Sequence, residues 1–119
     1  MDILKIKELC RTEQIEFSRH VSDRMFQRNI TADEVIEAVY NGKIIEEYPD
    51  DYPYPSCLIL GITFNKRFLH VVAGITDTKL WIITVYEPNP DKWNNDFTMR
   101  KGWEIWKSAF SAKGLLKTV

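Results

Sequence analysis

The chain has 119 residues, 45% of them hydrophobic and 28% charged, with a net charge of −1. That length suits a single domain over residues 1–119, with one core and no need of disulfide or metal staples. The balance excludes a globally basic nucleic-acid binder, and no apolar run approaches the roughly 18 residues that span a bilayer.

The first segment, "MDILKIKELC", mixes charge with apolar residues at three- and four-residue steps. It reads as a short amphipathic helix over 3–11 and not as an export signal, so the expected address is the cytoplasm. "QIEFS" follows as a brief extended link. Ser18 then serves as N-cap for a helix over 19–28, with Val21 and Met25 on its apolar side. Asn29 suits the left-handed position after that helix, because its short side chain tolerates positive φ. In "TADEVIEAVYNG", Thr31 and Glu34 form a capping box. Val35, Ile36, Val39 and Tyr40 make the buried stripe of this third helix, and Gly42 stops it.

After Gly42 the period changes to two. "KIIEEY", "SCLILGITF", "RFLHVVAGIT" and "LWIITVYEP" read as four strands, broken by "DDYPYP", "NKR" and "DTK". Links this short favour an antiparallel meander. "NPDKWNNDF" reads as a turn, and residues 99–111 as a final helix with Trp103, Trp106 and Phe110 on one side. The expected fold is therefore α+β: N-terminal helices on a four-stranded antiparallel sheet, with a C-terminal helical tail. Charge is unevenly spread. Residues 98–119 carry Arg100, Lys101, Lys107, Lys113 and Lys117 against Glu104, a balance of +4 that leaves −5 for the other 97 residues. Nucleic-acid binding, if present, must be local.

One constellation carries chemistry. His20, Arg24 and Arg28 are four residues apart, so a helix projects them from one face with a drift of about 40° per step. Cleaving RNA without a metal takes a base for the 2′-hydroxyl, an acid for the leaving 5′-oxygen and cations for the phosphorane. Histidine titrates near neutrality, and the arginine fork donates two parallel hydrogen bonds to a phosphate. His70, on the third strand, is the other histidine and the natural second proton carrier. Thr84, Tyr86 and Arg67 are further donors from the sheet, with Arg67 and Tyr86 read as RNA contacts. The alternative reading of the stripe is the solvated side of an ordinary amphipathic helix, with Arg19 and Asp23 as a routine pair. No Cys/His cluster has zinc spacing, Cys10 and Cys57 read as reduced thiols, and no cofactor is expected.

"RHVSDRMFQRNIT", "GKIIEEYPDDYPYPSCLILG", "LHVVAG" and "ITVYEPNPDKW" resemble, in order and spacing, domain-of-unknown-function family 4258 over about residues 15–100. Val21 stands where Ala is usual and Asn29 where Gly is usual. The resemblance implies a fold similar to RelE-like toxins and the wider barnase–EndoU–colicin–RelE class. That class contains metal-independent ribonucleases, many of them toxins paired with small antitoxins. It carries His20, Arg24 and Arg28 over as the family's polar helix positions, and Thr84 from "ITVY". His70 matches more loosely. Two functions are therefore expected: a metal-independent endoribonuclease or RNase-fold toxin, or a non-catalytic module of the same fold that oligomerises or holds a protein partner. Expected partners are RNA, an antitoxin protein and a second copy of the chain, with no membrane.

Overall fold

The computed structural model describes residues 1–102. It divides into two compact units, Met1–Glu87 and a second that begins at Pro88. The first runs α1 (Ile3–Arg11), β1 (Ile15–Phe17), α2 (Arg19–Gln27), α3 (Ala32–Tyr40), β2 (Lys43–Tyr48), β3 (Ser56–Ile62), β4 (Phe68–Ile75) and β5 (Leu80–Tyr86). Three helices and an antiparallel β2–β5 meander stand as the periodicity predicts.

The sheet differs from the expectation in one strand. It has five, ordered β1-β5-β4-β3-β2, and β1 pairs parallel with β5. "QIEFS" is therefore a strand and not a link, and the sheet is mixed. Three residues are too few to display a period, and a parallel partner can lie far along the chain because it needs a long crossover. Here that crossover comprises α2, α3 and β2–β4.

The helix ends obey local chemistry. Ser18 Oγ accepts from Val21 N at 3.1 Å, and Thr31 and Glu34 close a reciprocal capping box. Asn29 takes φ 56°, and Ile30 N reaches back to Met25 O at 2.9 Å, the left-handed ending its side chain permits. Gly42 acts differently from the expected stop. It is no left-handed cap, but a Cβ there would lie 2.6 Å from both Ala38 O and Ile59 Cγ2. Its task is space. Tyr40, expected in the buried stripe, is exposed, and Ala38 takes the place against the sheet. The small side chain lets α3 approach the strands closely.

The strand registers sort the sheet residues onto two faces. Cys57, Ile59, Leu69, Val71, Ala73, Ile82 and Val85 join Val21, Met25, Val35 and Val39 in one core under the helices. Leu58, Leu60, His70 and Val72 alternate with them, occupy the opposite face and are buried as well. Both cysteines are free and buried, and burial pushes the Cys57 thiol up to about 12.

The second unit is described through Gly102. Trp93 bridges Arg100 in antiparallel fashion, and the Arg100 guanidinium lies 4.7 Å from the Trp93 ring centroid. No helix follows α3 among the described residues. The helix expected over 99–111 begins as this bridge and a turn, and residues 103–119 lie outside the described residues. No described helix is long and apolar enough to cross a membrane.

The closest approach of α3 to the sheet gives a sharp test. A Cβ on Gly61 would sit 1.8 Å from Ala38 O, and the obstacle is backbone. Gly61→Ala should therefore cost at least about 3 kcal/mol, at the upper end of overpacking effects. Urea unfolding followed by circular dichroism measures it; a shift below about 1 kcal/mol would mean that α3 does not sit this close.

Candidate functional site

α2 presents its polar residues as a consequence of which ones it buries. Val21 and Met25, one turn apart, are 1% and 5% exposed, and they turn His20 and Arg24 outward along the flank of the helix. Both side chains are exposed. Among the described residues, neither has a hydrogen-bond or ion-pair partner, and Arg19 does not pair with Asp23. Two groups able to bind or protonate a phosphate oxygen thus stand one helical turn apart in water.

Arg28, the third member of the stripe, is occupied. The drift of the stripe carries it toward the sheet, where Nη1 donates to Val85 O at 2.7 Å. β1 pairs β5 only through Leu80–Ile82, so Val85 lies on the stretch of β5 that runs past the end of β1. Arg28 fastens the C-terminal end of α2 to that stretch.

Arg67 is more occupied still. Nη1 donates to Asn29 O at 2.6 Å and to Glu34 Oε1 at 3.2 Å. Nη2 donates to Arg28 O at 3.0 Å and to Glu87 Oε1 at 2.9 Å. One guanidinium joins the end of α2, the start of α3 and the end of β5. The Glu87 hydrogen bond, with help from Glu34, raises the Arg67 pKa. Glu34 is held below the ordinary carboxylate range, first by the Thr31 backbone N–H and then by Arg67. Glu87 is held low by Arg67. An open cleft of about 650 Å³ lies beside this cluster, with Glu34, Glu37, Phe64, Asn65 and Arg67 in its wall. Its one cation is already shared by two carboxylates, which makes it a poor seat for a phosphate. Arg67, read from the sequence as an RNA contact, has its guanidinium engaged in the framework of the fold.

His70 lies elsewhere. Its neighbours Leu69 and Val71 belong to the core under the helices, so alternation sends its ring to the opposite face. It is fully buried. Nδ1 lies 3.3 Å from Tyr86 Oη, and the two rings meet edge to face with centroids 5.3 Å apart. Registers His70↔Tyr86 and Val72↔Thr84 put Thr84, which is half-buried, and Tyr86 on that same face. The expected constellation is therefore split by the sheet: His20 and Arg24 on the helix side, His70, Thr84 and Tyr86 on the other. Among the described residues, no three His, Cys, Asp or Glu side chains are grouped to hold a metal ion.

Sequence reasoning did not find the tie from Arg67 to Glu34 and Glu87. The capping box was a partial signal, since it placed the Glu34 carboxylate at the α2–α3 link. Nothing local pointed to Arg67, which is 33 residues away. Compared with known proteins, the chain is matched over residues 17–87 by the family described as Domain of unknown function (DUF4258). No curated protein and no solved structure matches it.

Replacing Arg67 by Met should cost about 2 kcal/mol, because two carboxylates lose a charge-assisted partner. The pH dependence carries the signature. Glu34 and Glu87 have native values below the ordinary 4.5, so their stabilisation is fully present above 4.5 and is lost as pH falls through the lower native values. Denaturation midpoints between pH 7 and pH 3 should fall less steeply in Arg67→Met than in the wild type; parallel profiles would mean that the tie is not formed in solution.

Proposed function

The chain belongs to the DUF4258 family, and we propose that it acts on RNA through the outward flank of α2, as a metal-independent ribonuclease of RelE-like type that serves as the toxin of a toxin–antitoxin pair. The observation that carries this reading is the exposure of His20 and Arg24, one turn apart and unpartnered among the described residues. Unpaired exposed polar side chains on a rigid element cost a fold nothing to redirect toward a ligand, and this pair combines a proton carrier with a phosphate clamp.

In this mechanism Arg24 grips two non-bridging oxygens of one phosphate. Neutral His20 takes the proton of the adjacent 2′-hydroxyl, whose oxygen attacks phosphorus. The P–O5′ bond breaks, giving a 2′,3′-cyclic phosphate, and the leaving 5′-oxygen takes its proton from water. Arg28 is a positioning residue, since it holds the helix end to β5 and touches no substrate. RNA is the substrate, and an antitoxin protein or a second copy would silence the site by covering the same flank.

A second reading is favoured by the placement of His70. With that ring buried on the far face, one proton carrier remains for a reaction that is fastest with two. A module that binds RNA without cutting it requires only the clamp.

One experiment separates the two. RNA is incubated in EDTA with wild type, His20→Ala and Arg24→Ala, and products and retention are both measured. Cleavage by the wild type, lowered about 100-fold or more in His20→Ala with retention kept, supports the ribonuclease. Retention without products, weakening with salt and lost in Arg24→Ala, supports the binding module. No retention and no products would remove RNA as the ligand. His70→Asn should leave the rate per folded molecule unchanged, and a loss equal to that of His20→Ala would overturn the split site.

A further inference from the structure

The opposite end of the sheet, away from anything used above, carries an aromatic surface. The β2–β3 connection and the β4–β5 turn meet there, joined where Ile75 N donates to Pro55 O at 3.0 Å. Tyr54 lies near-parallel to Trp81, with centroids 6.4 Å apart and 10° between the ring planes. Trp81 remains 37% exposed, Tyr54 38%, and Ile83, the extra residue of the β5 bulge, 45%. Gly74 lies between Trp81 and Ile83. A Cβ there would sit 3.4 Å from Ile83 Cδ1 and 3.8 Å from Trp81 Cβ, so these two side chains flank the glycine. Core strands of soluble domains seldom spend a tryptophan and an isoleucine on water at adjoining positions.

Among the described residues, the two connections that meet here carry more carboxylates than cations. Asp50 and Asp51 belong to the β2–β3 connection and Asp77 to the β4–β5 turn. Lys79, the lysine at the end of that turn, is taken by Glu16 at 3.2 Å. Asp50 and Asp77 are exposed and have no ion-pair partner among the described residues. A π surface with free carboxylates at its rim repels phosphate and attracts a cation that can lie on a ring.

We propose that this end of the sheet docks a basic, arginine-bearing segment of a partner protein, with a guanidinium over Trp81 and a second cation on Asp50 or Asp77. Arginine fits better than lysine because its planar, weakly hydrated group stacks on an aromatic face while its N–H groups still reach a carboxylate. The surface is independent of the α2 flank, so this docking stands or falls apart from the RNA reading.

Fluorescence anisotropy of a labelled nona-arginine peptide against the full chain tests it, with nona-lysine and an oligouridylate as the other probes. The expected result is binding of nona-arginine, weaker for nona-lysine. Trp81→Ala should weaken it about tenfold and Trp81→Phe less, on the scale of a desolvated cation–π contact. The double variant Asp50→Asn/Asp77→Asn should weaken it at least fivefold, while Asp33→Asn, a carboxylate lost at the start of α3, stays within twofold. Circular dichroism confirms that each variant is folded, and Tyr54→Ala supplies a second disruption of the surface if Trp81→Ala is not. Equal weakening in Asp33→Asn would reduce the effect to diffuse charge and overturn the site. So would peptide binding that is indifferent to Trp81 and Tyr54, or oligouridylate binding that Trp81→Ala abolishes.

Discussion

The Arg67 guanidinium holds the helical layer and the sheet in one geometry. Its partners are two carbonyls at the end of α2, the capping carboxylate of α3 and a carboxylate just past β5. Carbonyls at a helix C-terminus have lost their intrahelical donors and carry the negative end of the helix dipole. A guanidinium there satisfies them and complements the dipole at the same time. The two carboxylates then balance its charge while it is only 19% exposed. With Arg28 donating to Val85 O, the end of α2 is pinned twice, once by a cation from the β3–β4 turn and once by its own. The direction in which α2 points His20 and Arg24 follows from these ties.

The close packing of α3 on β3 is the complementary constraint, and it comes from missing atoms. Gly42 and Gly61 both lie where a Cβ would collide with Ala38, itself the smallest residue of the α3 stripe. The helix can lie so near the strands only because three successive layers of side chain have been reduced. That nearness sets where the first turn of α3 holds Glu34, and therefore where Arg67 must reach.

Much of this was legible in the residues. Apolar spacing placed the first helix, capping signals the next two, and alternation four strands, because these patterns arise within a window of a few residues. β1 escaped because three residues show no period and its partner lies more than 60 residues on. Tyr40 and Gly42 were assigned from helical spacing and turn chemistry, while their observed roles depend on the distance between α3 and β3, a tertiary quantity. The same division runs through the site. The exposure of His20 and Arg24 follows from which neighbours are apolar. The separation of His20 from His70 follows from strand parity together with the side of the sheet that α2 covers, and only the second of these is hidden in the linear chain.

The net charge of −1 conceals a segregation that bears on how such a small domain could serve two partners. Arg19, His20 and Arg24 are exposed on the helix side, while Asp50 and Asp77 are exposed at the turn end of the sheet. In physiological salt, fields decay over about 8 Å, so each surface is felt only by a molecule already near it. A polyanion gains on α2 and loses at the sheet end; a basic segment has the reverse preference. Neither surface needs the chain to be globally charged, and neither ligand masks the other by charge alone. A protein that had spread the same residues evenly would have the same isoelectric point and no means of sorting its partners. Under the two proposed readings, local placement, carried by a helix pinned at its C-terminus and a sheet with two distinct faces, is what would let a nearly neutral domain discriminate between them.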